Sequence, residues 1–115
     1  MIRRPVYQLI TQVYEVFEND KSESPIGKAC VVDGLIESLM IKKNVSESFY
    51  GQILSRILRA ISEDADKYNS NLSIKVAEPN SVRLKRFLER YGFRETAEGI
   101  YKRIAGSSIP PSVIY

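Results

Sequence analysis

Between Lys28 and Arg103 the spacing of apolar residues switches repeatedly between a period of two and a helical period of about 3.6. That switching restricts the fold more than anything else in the chain, because strands separated by helices must share a sheet through crossover connections. Lys28–Val32 and Leu35–Lys42 read as strands joined at Asp33-Gly34, a dipeptide suited to tight hairpins. In the second strand Leu35, Glu37, Leu39 and Ile41 are expected on one face, with Ile36, Ser38 and Met40 on the other. A long helix is predicted over Ser46–Tyr68, with Tyr50, Ile53, Leu54, Ile57, Leu58, Ile61 and Ala65 as its buried stripe. Asn44 followed by Glu47 has the form of a capping box at its start.

Leu72, Ile74 and Val76 alternate with polar residues in a further strand that Pro79 ends. Asn80 or Ser81 then caps a second helix, with Val82, Leu84, Phe87, Leu88 and Tyr91 as its stripe and Gly92 as its stop. Phe93–Thr96 and Ile100–Ile104 form a strand pair around Ala97-Glu98-Gly99. Upstream, Met1–Arg4 reads as a short strand. Val6–Phe17 reads as a helix from Val6, Leu9, Ile10, Val13 and Phe17, although its β-branched and aromatic content also suits a strand. Glu18–Gly27 is a loop. The expectation is one α/β (α+β) domain over residues 1–104, a mixed central sheet with helices on both faces, followed by an extended tail over residues 105–115.

Composition narrows the chemistry. A chain of 115 residues suits one core. The absence of histidine removes Ser-His and Cys-His nucleophiles and the commonest metal ligand, so no metal site is expected. Cys30 is the single cysteine; it excludes an internal disulfide, fits a reducing compartment, and reads as a small core residue. No apolar run is long enough to span a membrane, and the N-terminus lacks a signal-peptide layout, so a cytoplasmic protein is expected. The net charge of +3 raises nucleic acid as a partner. No nucleic-acid motif accompanies it, and Arg83, Lys85, Arg86 and Arg90 read as a solvated helix face.

Asn80, Arg83, Phe87, Tyr91-Gly92-Phe93 and Tyr101-Lys102-Arg103 together resemble the acyl-coenzyme-A half of the GCN5-related N-acetyltransferase (GNAT) family. The likeness is greatest to short members found in bacteriophage genomes. It implies an abbreviated GNAT fold and acetyl-coenzyme A as cofactor, with an amine substrate as acceptor. In that family a splayed gap between two parallel strands admits the pantetheine arm. The pyrophosphate then sits on amides at the next helix N-terminus, where orphan N–H groups and the helix dipole favour an anion. Carried onto this chain, the resemblance implies cofactor contacts from Ile41, Lys42, Lys43, Ser46, Ser48, Tyr50, Gly51, Asn80 and Phe87. It makes Glu37 the base that takes the amine proton.

The chain departs from the family pattern at several of these positions. Ser46 stands where the family has Arg or Gln, Phe49 replaces the first glycine, and only Gly51 remains. Glu47 adds a negative charge to the helix's first turn. Phe87 occupies the place of the tyrosine that protonates the departing thiolate, leaving Tyr91 or Tyr50 as substitutes. Two functions therefore stand side by side: an N-acetyltransferase, and a catalytically inactive GNAT-fold module such as an adaptor or a phage-particle protein. For the second, Ile109, Val113, Ile114 and Tyr115 after Pro110-Pro111 would let the 105–115 tail bind a protein partner or build a homo-oligomer.

Overall fold

The computed structural model describes residues 2–3, 11–77 and 82–111. Its elements are β1 (Ile2–Arg3), β2 (Thr11–Val16), β3 (Gly27–Val32), β4 (Leu35–Ile41), α1 (Glu47–Lys67), β5 (Leu72–Lys75), α2 (Val82–Arg90), β6 (Arg94–Ala97) and β7 (Ile100–Arg103). The strands form one mixed sheet in the order β1-β2-β3-β4-β5-β7-β6. Among the described strands only the neighbours β4 and β5 pair in parallel, which is what a helical crossover through α1 requires.

The β3–β4 hairpin turns where expected. Asp33 and Gly34 both have positive φ (49° and 82°), the pair of left-handed residues that matches the twist of the flanking strands. A Cβ on Gly34 would lie 2.6 Å from the Asn71 carbonyl oxygen, so this turn also packs against the entry to β5. α1 begins at Ser46, whose hydroxyl accepts from the Phe49 amide at 3.2 Å. The cap expected at Asn44 is thus displaced by two residues; Asn44 instead adopts positive φ (68°) in the preceding turn.

Ile53, Leu54, Ile57, Leu58, Ile61 and Ala65 of α1 are buried, and each larger one contributes about 1.5–3 kcal/mol on leaving water. They meet Tyr14, Val16, Ala29, Val31, Ile36 and Ile74 from the sheet. Leu88, Tyr91 and Phe93 join the same cluster, and the Ser55 and Tyr91 hydroxyls lie 2.7 Å apart. Both helices therefore share one face of the sheet.

A helix was expected over Val6–Phe17, with a strand as the alternative. Thr11–Val16 is instead a strand, with Gln12, Tyr14 and Val16 buried and Thr11 and Val13 exposed. Its β-branched and aromatic residues favour the pleated surface over the helix. Residues 6–10 of that prediction lie outside the described residues. So do Asn80 and Ser81, the expected caps of α2.

Among the described residues no helix covers the second face. Register places Thr11, Val32, Leu35, Ser73, Lys102 and Arg94 in one row across it. Cys30 lies on this half-exposed face opposite Ser38, not in the core. Val82, expected in the α2 stripe, is 59% exposed at the helix start.

The chain after β7 turns back onto its own domain. Arg103 is fully buried and bidentate to Asp66, at 2.7 and 3.0 Å. It also donates to the carbonyls of Tyr91 and Ser107, both at 2.6 Å. The Gly106 amide reaches Asp66 at 2.7 Å, Arg59 reaches the Pro110 carbonyl at 2.5 Å, and Ile109 packs on the core. Residues 105–110 of the expected extended tail are thus occupied within the domain.

Candidate functional site

The site arises from one irregularity in β4. β3 and β4 pair as Lys28↔Met40, Ala29↔Leu39 and Cys30↔Ser38, then as Val31↔Ile36 and Val32↔Leu35. Glu37 is the extra residue of a β-bulge. The insertion flips the facing pattern, so Ile36 shares the core face with Leu39 and Ile41, while Leu35, Ser38 and Met40 face away. Strict alternation, which put Leu35 with Leu39 and Ile41 and Ile36 with Ser38 and Met40, fails for both residues before the bulge.

A bulge bends its strand and raises its twist. β4 is joined to β5 only at Leu35↔Ser73 and Ile36↔Ile74, immediately before the bulge. Beyond it the two parallel strands diverge. The opening is a cleft of about 290 Å³ lined by Ile36, Glu37, Ser38 and Leu39 of β4, Ile74 to Ala77 from the β5 side, and Tyr50 and Leu84 of the helices. Its walls are mostly apolar, with Glu37, Ser38, Lys75 and Tyr50 as polar elements. The cleft thus combines apolar walls with a few polar groups.

The expected site residues other than Asn80 fall as follows. Glu37 is exposed at the bulge and lines the cleft, as does half-buried Tyr50. Ile41 packs against the core, and the Lys42 amide donates to the Ile26 carbonyl at 2.8 Å. Lys42 and Lys43 are exposed and lie beyond the cleft lining. Ser46 is the helix cap, with the Ser48 hydroxyl 3.4 Å away. Gly51 faces Phe87: a Cβ there would sit 3.4 Å from the phenylalanine ring tip. Asn80 lies outside the described residues.

Phe49 turns away from the cleft. Its ring lines a small cavity of about 90 Å³ with Val16, Phe17, Ile26 and Ile53, on the β2 side of α1. Its side chain therefore leaves the cleft side of the helix clear. Tyr91 is also unavailable. It is fully buried, paired to the Ser55 hydroxyl at 2.7 Å and within 3.1 Å of the Ser55 carbonyl.

Sequence reasoning set Arg83 on a solvated helix face, with contact to the acidic ends of a cofactor or partner as the alternative; the structure gives it partners within the domain. From α2 its guanidinium reaches the first turn of α1, donates to the Glu47 carbonyl, and lies 3.8 Å from the Glu47 carboxylate. It also sits 4.2 Å above the centre of the Tyr50 ring. The signal was a basic residue in the first turn of α2, but its partners are about 35 positions earlier and no local pattern links them.

No cluster of histidine, cysteine or carboxylate side chains able to hold a metal occurs among the described residues. No described helix is long and apolar enough to cross a membrane. Comparison with protein-family models, with curated proteins and with solved structures gives no match to this chain.

Proposed function

We propose that the chain binds an acyl-coenzyme-A thioester in the β4/β5 cleft and transfers its acetyl group to an amine. The observation that carries this reading is the splay itself: two parallel strands joined at two residue pairs and then parted by a bulge at Glu37. The resemblance at Tyr91-Gly92-Phe93 and Tyr101-Lys102-Arg103 leads one to expect such a gap, and the strand order supports the same abbreviated GNAT arrangement.

In this reading the pantetheine arm lies between β4 and the β5 side of the cleft. Backbone N–H groups at the bulge polarise the thioester carbonyl. Glu37 at the rim takes the proton from the attacking amine. Ser46, Ser48 and Gly51 border the phosphates, where the first-turn amides of α1 lack intrahelical partners.

The Glu47–Arg83 contact favours a second reading, a non-catalytic GNAT-fold binding or structural module. Glu47 sets a carboxylate on the turn that a pyrophosphate would approach, and Ser46 already occupies the Phe49 amide. Calorimetric titration with acetyl-coenzyme A separates the two. Saturable heat, abolished by filling the cleft with Ser38→Trp, supports the transferase. Absence of heat at millimolar ligand leaves the module.

A further inference from the structure

We propose that the small cavity beside Phe49 is a second binding site, for an α-amino acid with a small branched apolar side chain. It lies on the β2 side of α1, away from the β4/β5 cleft, and does not depend on what that cleft binds. Its volume is about 90 Å³. A void of about 150 Å³ accommodates benzene, so by proportion this one takes about three to four carbon atoms, the size of a valine or leucine side chain. The inner wall is apolar: Val16, Phe17, Ile26 and Ile53 are buried core residues, with the Phe49 ring beside them. The rest of the lining is Glu18, Gln52 and Arg56, so a carboxylate, an amide and a guanidinium border the same small space.

Glu18 and Arg56 are exposed and mark the solvent side of the cavity. Among the described residues neither has an ion-pair partner, although both border one cavity. Opposite charges that flank a cavity and stay unpaired leave room between them for the two charges of a zwitterion. The ligand's ammonium donates to the Glu18 carboxylate, and its carboxylate accepts from the planar Arg56 guanidinium, with the Gln52 amide as a further donor. The apolar walls are held in place by the fold itself. The Ile26 amide donates to the Val16 carbonyl at 2.7 Å, and the Ile26 carbonyl accepts from the Lys42 amide at 2.8 Å, which closes the loop between β2 and β3. Phe49 is held by the Ser46 hydroxyl on its amide at 3.2 Å. Walls tied by such bonds resist collapse, and a preformed apolar site loses little on ordering its ligand.

The test titrates the full chain with L-leucine, N-acetyl-L-leucine and L-leucinamide, read by amide chemical shifts. Leucine is expected to bind with a Kd near or below about 1 mM, from the affinity per heavy atom of small ligands. N-acetyl-L-leucine lacks the ammonium and L-leucinamide lacks the carboxylate. Each is expected to bind at least about tenfold more weakly than leucine. Arg56→Gln should weaken leucine by the same factor and leucinamide by less than about twofold, because leucinamide has no carboxylate to lose. Glu18→Gln should likewise weaken leucine and spare N-acetyl-L-leucine. Both positions are exposed, and circular dichroism and melting check that the variants fold. Either derivative binding as tightly as leucine overturns the zwitterion, as does leucine binding that neither variant changes. No saturation by about 20 mM leucine overturns the site itself.

Discussion

The two ends of α1 use the same chemistry to opposite effect. At its C-terminal end Arg103 crosses from β7 to Asp66; at its N-terminal end Arg83 crosses from α2 to Glu47. Arg103 is buried, bidentate, and bonded to two carbonyls besides. Arg83 is 38% exposed, and its carboxylate partner is 95% exposed at 3.8 Å. Arg103 is fully buried and its partner Asp66 only 26% exposed, so losing either leaves poorly hydrated polar groups behind, whereas an exposed pair is replaced by solvent. The molecule is thus clamped where the chain closes on itself and held loosely beside the cleft.

The comparison can be broken most directly at the clamp. Arg103→Ala should cost about 3 kcal/mol in urea unfolding, because it strands Asp66 and the Tyr91 and Ser107 carbonyls together. A loss below 1 kcal/mol would mean that the two ends do not differ.

Acid should loosen the same end. The Arg103 guanidinium bonded to Asp66 holds its carboxyl below the usual carboxylate range, against desolvation and with help from the Gly106 amide. A depressed folded pKa contributes stability that is complete above the unfolded value near 4 and declines as pH falls through the folded value. Melting temperature should fall below pH 4 in the wild type, and less steeply in Asp66→Asn. Parallel acid profiles would remove Asp66 from the account.

At the cleft end the expected effects are smaller. Ser46→Ala should cost about 1 kcal/mol through the lost Phe49 cap, measured by thermal unfolding. Arg83→Ala should cost at most about 0.5 kcal/mol, and that difference should shrink in high salt. A salt-independent loss as large as that of Arg103→Ala would reverse the contrast.

How far the sequence reveals this molecule depends on the range of the interaction. Periodicity within ten or so residues located the hairpin at Asp33-Gly34, the α1 stripe, the strand at Leu72 and the stop at Gly92, which has φ of 90°. Thr11–Val16 was misassigned because Val13 and Phe17 satisfy a helical spacing as well as a strand's. The bulge at Glu37 leaves no local mark, since it exists only in the register between two strands. Arg83 and Arg103 look alike in the chain, and only their partners in space distinguish a cleft rim from a buried clamp. Glu37 was singled out as a carboxylate among apolar residues, and that oddity of composition was the most informative sign of the site.

The bulge has a consequence for how the opening can be lost. The width of the cleft is set by a count of residues in β4 and not by the identity of any one side chain. Substituting Glu37 alters what stands at the rim and leaves the gap in place. Deleting it joins Ile36 directly to Ser38, restores regular pairing with Val31 and Cys30, and removes the bend that carries β4 away from β5. The site is therefore tolerant of point changes and vulnerable to the loss of a single codon.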